Sequence, residues 1–228
     1  EKKVVTQNTI TAKLMTLYDE AFLTGCDSTQ EWMLGWFLQN YKKHSNKPLI
    51  FANFGVSDLC LGIMRSNCHA IMDMTQIEER GWFKKPLTML KSPSKKTVWL
   101  DLDCEVKDNI DDMFNLLEPN KLAMVEDKPW SLRRGHKWHN SGVVGFIDKP
   151  VILSQWAGAV RKNHDKEVGD QEILDKILSP ITKISYIQDL PNEYNVMRLQ
   201  VEKDNYQGKI RIMHWTGEKG KIRIRGML

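Results

Sequence analysis

No stretch of this sequence approaches the ~18 consecutive apolar residues that a membrane-spanning helix needs. The N-terminal segment from Glu1 has no apolar signal core and no starting Met, which leaves a trimmed targeting segment open. No repeat, low-complexity tract or linker interrupts the chain. Cysteine is scarce: the four residues Cys26, Cys60, Cys68 and Cys104 form no C-x-x-C pair and no zinc-like spacing. Free thiols in a reducing compartment are the expectation. The absence of any Asn-x-Ser/Thr acceptor agrees with a cytoplasmic protein. Charge of one sign is scarce too. The net +4, from 33 Lys+Arg against 29 Asp+Glu, is too small and too scattered to argue for nucleic-acid binding, though it suits an anionic small ligand.

What is present is an alternation of apolar runs and helical stripes. Ala21-Phe22-Leu23-Thr24, ending at Gly25, reads as a buried strand. Ser28-Thr29-Gln30-Glu31 reads as a capping box for a helix bearing Trp32, Met33, Trp36, Phe37 and Tyr41 on one face. Lys42-Lys43 favour its negative end, Asn46-Lys47-Pro48 stops it, and Leu49–Asn53 is a second strand. Strand–helix–strand is the unit of parallel sheets. The middle is less regular until the strand Thr97–Leu100, after which Ile110, Met113, Phe114 and Leu117 mark a helix. Strands are expected at Leu122–Val125, Val143–Ile147, Ile184–Ile187 and Ile210–Met213, and helices at Val151–Asn163 and Gly169–Leu178. Lys221-Ile222-Arg223-Ile224-Arg225 alternates with period two and predicts a basic edge strand. The whole predicts one α/β domain over residues 1–228, an open, mostly parallel sheet with helices on both faces.

In such sheets ligands bind outside the carboxyl ends of strands. Asp101 and Asp103 follow the most apolar strand, and two-residue spacing puts both carboxylates on one side of an extended segment. Two like charges that close call for a hard divalent cation. With 16 Asp in the chain, one D-x-D also arises by chance, so its position carries more weight than its pattern. His214 follows another strand, ahead of Gly217, Lys219 and Lys221, and one imidazole with two carboxylates suits Mn²⁺. His139-Asn140-Ser141-Gly142 reads by default as a turn, and Asp170 as a helix N-cap. Trp82–Pro86 and Trp130–Arg134 mix aromatic and basic residues, fit for a sugar or anion and equally for surface loops.

In order along the chain stand Thr24-Gly25-Cys26-Asp27, Lys85-Pro86, Trp99-Leu100-Asp101-Leu102-Asp103, Asn140-Ser141-Gly142-Val143, Asp170-Gln171, Leu190-Pro191-Asn192-Glu193-Tyr194-Asn195 and His214-Trp215-Thr216-Gly217. This ordered set, spanning residues 21–221, resembles the GT-A nucleotide-sugar glycosyltransferases, most closely the retaining glycogenin-like enzymes of glycosyltransferase family 8. The resemblance implies a Rossmann-like domain with a nucleotide-binding part near residues 21–103 and a sugar and acceptor part near 104–228. It implies that Asp101, Asp103 and His214 hold Mn²⁺ (or Mg²⁺), and that Thr24, Gly25 and Cys26 meet the nucleotide. Lys85 belongs to the same donor-binding set, Gly217 meets phosphate, Asn140 lies near the sugar, and Asp170 with Gln171 grips the donor sugar. The family's late Lys falls here on Gly220, flanked by Lys219 and Lys221, and its following Pro-Trp is absent.

The implied activity is transfer of a sugar, with retention, from a UDP-sugar such as UDP-glucose to a glycan or other hydroxyl acceptor. Expected partners are the nucleotide sugar and that acceptor, with no nucleic acid and no membrane span. A sugar-phosphate nucleotidyltransferase and a non-enzymatic sugar- or nucleotide-binding module are the competing readings. A Golgi or ER lumenal catalytic domain with its anchor removed competes with the cytoplasmic assignment.

Overall fold

The computed structural model describes residues 17–228; the weakly patterned N-terminal segment from Glu1 lies outside them. The chain opens with β1 (Tyr18–Cys26), α1 (Leu34–His44), β2 (Leu49–Asn53), α2 (Asp58–Asn67) and β3 (Ala70–Asp73). Then come α3 (Lys84–Leu90), β4 (Ser94–Leu100), β5 (Cys104–Val106), α4 (Met113–Leu116), β6 (Leu122–Glu126), α5 (Lys128–Arg134) and β7 (His139–Ile147). The last part holds α6 (Val151–Asn163), α7 (Asp170–Ile177), α8 (Pro180–Tyr186), β8 (Ile187–Asp189), β9 (Val196–Met197), α9 (Arg198–Glu202), β10 (Ile212–His214) and α10 (Gly217–Arg225).

Seven strands form one sheet in the order β3-β2-β1-β4-β7-β6-β8, so both halves of the chain share it. The strands are parallel except β7, which runs antiparallel to β4 and β6. The two-residue strand period sorts side chains into two cores. Phe22, Phe51, Val98 and Leu100 pack on one face against Trp36, Phe37 and Tyr41 of α1. Their neighbours Leu23, Ile50 and Trp99 face the other way, onto Met89 of α3, Trp156 of α6 and Ile173 of α7. Near-continuous apolar runs in the sequence are therefore strands buried on both faces. After β1 the chain moves to β2 on one side, whereas β4 returns on the other, so the crevice of an open sheet forms where β1 and β4 end.

Several expectations need correction. Ser28 caps no helix: α1 is preceded by a 3-10 turn at Glu31–Met33 whose N-cap, Gln30, makes no side-chain cap bond. Asp27 instead accepts from the backbone N–H of Thr29 at 2.9 Å, and Glu31 accepts from that of Ser57 at 2.6 Å. Ile110, Met113, Phe114 and Leu117 are buried as a stripe, yet the helix among them is a single turn. Ile184–Tyr186 are helical, because Ser179 caps α8 by accepting from Thr182 and Pro180 starts it. Lys221–Arg225 is the C-terminal half of α10 and not an edge strand. All four cysteines are free thiols, and no helix among the described residues is long and apolar enough to cross a membrane.

Trp156, fully buried in α6, donates from its indole Nε1 to the backbone carbonyl of Asp170 at 2.8 Å and so ties the start of α7 to the core. Trp156→Phe keeps most of the packing and removes that bond, while the carbonyl keeps its bond within α7. The expected cost is about 0.5–1.5 kcal/mol for the lost bond, read as a lower urea midpoint; an unchanged midpoint contradicts the tie.

Candidate active site

Two cavities open at the carboxyl ends of β1 and β4. The first, of about 200 Å³, is lined by Gly25, Cys26, Asp27, Met33, Trp99 and Asp103 among others. The second, of about 230 Å³, is lined by Asn140, Ser141, Gly142, Asp170, Gln171 and Glu172 among others. Trp82, Lys85 and Asp101 belong to both walls, so the two form one elongated trough. Neither alone reaches the ~300 Å³ lower end of typical small-molecule sites.

The reversed strand explains why residues from mid-chain arrive here. Because β7 is antiparallel, its first residues lie where the parallel strands end: Leu100 pairs with Val143, and Asp101 N–H donates to Gly142 O at 2.8 Å. His139–Gly142 is thus buried strand, not the turn that its composition suggests. Asp170 is the first residue of α7, with Gly169 at the cap position, so the N-cap reading fails as well.

Asp101-Leu102-Asp103 is not extended. Cys104 N–H donates to Asp101 O at 3.0 Å, closing a turn that gives the two carboxylates different neighbours. Asp101 lies 3.0 Å from Lys85 Nζ through Oδ1 and accepts from Trp99 Nε1 at 2.6 Å. Asp103 Oδ1 stands 3.2 Å from His214 Nε2. A short second sheet, β5-β10-β9, brings this pair together: His214 is paired with Cys104, and Trp215 N–H donates to Asp103 O at 2.9 Å.

Electrostatics follow from burial. Burial opposes a charge on His214, but Asp103 outweighs it and raises the imidazole pKa; in turn burial pushes Asp103 up, while His214, Lys221 and Lys85 bring it below its ordinary value. Burial raises the Cys104 thiol well above its usual range, and its Sγ lies toward Gly142 O at 3.8 Å. The ligating atoms of Asp103, Cys104 and His214 all lie within 4.8 Å of one another. A carboxylate and an imidazole held this close make a donor pair that could hold a divalent cation. Asp101 is on the same turn, but its carboxylate is engaged by Lys85.

Lys85 is the charge hub. Its side chain is 3% exposed, and Nζ lies 3.5 Å from Asp170 Oδ2, donates to Ser141 O at 2.8 Å and reaches Asp101. Burial works against this ammonium; Asp101 and Asp170 outweigh it and raise its pKa. Burial also raises the Asp170 carboxyl to about 6, despite Lys85. Gln171 Oε1 accepts from Ser141 N–H at 3.3 Å, which sets its amide against the same wall.

The remaining expected residues divide. Gly25 and Cys26 line the trough, whereas Thr24 is buried and donates from Oγ1 to Leu100 O at 2.7 Å, a strand-to-strand bond away from the cavity. Lys221 lines the trough; Lys219 and Gly217 are on the exposed side of α10 and line neither cavity. At Gly220 a Cβ would stand 2.0 Å from Trp215 O, so no side chain fits there, and the lysine facing the trough comes one position later. Two polar residues escaped the sequence reading of the site. Asp127, buried with a raised pKa, accepts from Trp130 N–H at 3.2 Å and looks in sequence like an ordinary cap before Pro129. Asn195, wholly buried, lies against His214 and shows only as the end of a Leu-Pro-containing segment.

No protein-family model and no curated relative matches the chain. Solved structures do. Over 88% of its length the chain resembles the glycosyltransferase GlyE of Streptococcus pneumoniae TIGR4, at a TM-score of 0.68 and 17% identity, while spanning only 55% of that chain. It resembles the galactosyltransferase LgtC, solved with donor and acceptor sugar analogs, at TM-score 0.59 and 12% identity over 91% of this chain and 96% of that one. Mouse xyloside xylosyltransferase 1 gives TM-score 0.55 and 13% identity over 88% of this chain and 97% of its own. The fold is therefore the GT-A fold of glycosyltransferases.

Lys85→Met leaves Asp170 buried without the cation facing it. The expected loss is ~3–5 kcal/mol at neutral pH. Asp170 already binds its proton more tightly folded than unfolded, with a pKa of about 6 against 3.8, and the variant raises the folded value further. The native variant therefore gains relative to the unfolded chain as pH falls, and the deficit should shrink toward about pH 5. Urea unfolding at several pH values tests this; a pH-independent deficit, or none, contradicts it.

Proposed function

We propose that the protein is a metal-dependent glycosyltransferase that transfers a sugar, with retention, from a nucleoside diphosphate donor, with UDP as the nucleotide, to a hydroxyl acceptor. One observation carries this reading: a single trough runs from Asp103, which His214 backs at 3.2 Å, past Lys85 to the buried carboxylate of Asp170. The lengthwise order of charge matches a diphosphate sugar lying along it.

In this reading the nucleotide lies against Gly25 and Cys26, and Asp103 and His214 hold the divalent cation, with Asp101 on the adjoining turn. When bound, that ion supplies Lewis-acid neutralisation of the diphosphate as its oxygen departs. Lys221 adds positive charge on the same side. Donor-sugar hydroxyls meet Asp170, whose carboxylate, ionised above about pH 6, accepts their hydrogen bonds. Lys85 keeps that carboxylate in place beside the anomeric carbon. Gln171, oriented through Ser141, lines the reacting face. The acceptor oxygen bonds to the anomeric carbon on the face the diphosphate leaves, and its proton passes to the departing phosphate oxygen. Charge developing on the sugar ring is oxocarbenium-like, as in glycoside hydrolysis. The GlyE chain in the solved structure is nearly twice as long as its matched part, so the acceptor's identity belongs to the proposal.

Two outcomes test it. Asp103→Ala should fold and lose Mn²⁺-dependent release of UDP from UDP-sugars by about 100-fold or more; undiminished release by the folded variant removes the reading. The rate should also fall on acidification through about pH 6 as Asp170 takes up its proton, and Asp170→Asn should lack that limb. A pH profile of kcat/KM with the same limb in both proteins assigns it elsewhere.

A further inference from the structure

We propose that Asn195 is a positioning residue: with Asn140 behind it, it fixes the tautomer of His214 so that the ring nitrogen facing Asp103 carries a lone pair for a cation. The inference rests on the reading of Asp103 and His214 as cation ligands, but its logic is set by hydrogen-bond polarity alone. Gly142 donates its backbone N–H to Asn140 Oδ1 at 2.8 Å. A backbone N–H can only donate, so that atom of Asn140 is the oxygen. The same oxygen lies 2.9 Å from the Asn195 side chain, which must therefore present its NH₂ there. Asn195 consequently offers its carbonyl Oδ1 on the other side, 3.0 Å from His214 Nδ1. An oxygen acceptor there requires Nδ1 to hold the hydrogen. In the neutral ring Nε2 then has the lone pair, and Nε2 is the atom 3.2 Å from Asp103 Oδ1. Two acceptors facing each other at that distance repel unless a positive charge lies between them. The relay from Gly142 through Asn140 and Asn195 thus leaves Nε2 as the ring atom that takes either a proton, as the acid beside it favours, or a cation in its place, the outer-shell arrangement typical of ligating imidazoles.

The backbone holds the relay in place independently of the side chains. β9 runs parallel to β10 with Met197 beside His214, which places Asn195 just ahead of that pairing. Asn195 N–H donates to Asn192 O at 3.1 Å, and Gln200 braces the same loop by accepting from Met197 N–H at 2.9 Å. Gly142 clears the ring's place, since a Cβ there would stand 2.1 Å from His214 Cε1 and 2.5 Å from Nδ1. An aspartate at 195 would set a carboxylate oxygen against Asn140 Oδ1, an acceptor already fixed by Gly142, so the amide is the side chain that satisfies both neighbours.

The test reads the ring nitrogens of His214 by ¹⁵N NMR of the whole protein at alkaline pH, where the ring is neutral, with assignment by His214→Gln. Mn²⁺ affinity is measured by calorimetry in the parent and in Asn195→Leu and Asn195→Ser. The expected results are a hydrogen on Nδ1 in the parent and a ring that loses this preference in Asn195→Leu. Mn²⁺ affinity should be about 10- to 100-fold lower in Asn195→Leu, with a smaller loss in Asn195→Ser. A parent ring with its hydrogen on Nε2 overturns the inference, as does a folded Asn195 variant that binds Mn²⁺ like the parent. If Asn195→Leu does not fold, the parent tautomer and Asn195→Ser decide. A parent that binds no Mn²⁺ instead counts against the proposed function, while its tautomer still decides the role of Asn195.

Discussion

The site depends on one rung of a small sheet. Pairing of β5 with β10 sets His214 opposite Cys104 and hence beside Asp103, residues far apart in the chain. Without that rung the acid would be an ordinary turn carboxylate and the imidazole an ordinary strand end. Both are removed from water far enough that each shifts the other's protonation, and the pair becomes a place where positive charge is favoured. The large sheet supplies the platform for this rung, since β5 leaves it directly after β4 and the intervening turn carries both aspartates.

A second constraint is charge balance in the trough. Asp101 and Asp170 both approach one buried ammonium, that of Lys85, so three ionisable groups from α3, the end of β4 and the start of α7 are mutually dependent. Hydrogen bonds to Ser141 fix the ammonium, and the Trp156 indole fixes the start of α7. Such a network is stable only when complete, because Lys85 and Asp170 are buried charges and the half-buried Asp101 helps to neutralise the lysine. It also gives the two carboxylates of the D-x-D segment unequal environments: Asp103 faces the imidazole, and Asp101 faces the lysine.

Much of the fold was legible where local signals agree with burial. Continuous apolar runs at Ala21–Thr24, Leu49–Asn53 and Thr97–Leu100 are strands because helices cover both faces. Period failed where it had too few residues to act on. Lys221–Arg225 alternates, yet Ile222 is 66% exposed while Ile224 is buried, and the segment continues a helix that begins at Gly217. Strand direction is not written in composition, so Asn140 and Ser141 read as a turn when they are the buried start of an antiparallel strand. For the site, strand-end positions marked Asp101, Asp103 and His214; the trough gathers Lys85, Asp170 and Gln171 with the two aspartates, and His214 lies behind Asp103 without lining it. Sequence could not show that the aspartates turn apart, that Thr24 bonds inward, or that Lys221 rather than Lys219 faces the trough. Asn195 was illegible for a related reason: its role is defined by the polarity of two hydrogen bonds that exist only after the small sheet has formed.

The most direct measurement is a crystal structure of the protein with Mn²⁺ and UDP, using anomalous scattering to locate the ion. The account requires the anomalous peak between the carboxylate of Asp103 and Nε2 of His214, in contact with the diphosphate, and the uracil base against Gly25 and Cys26. A peak at another acidic cluster, or UDP bound away from the ends of β1 and β4, would contradict it.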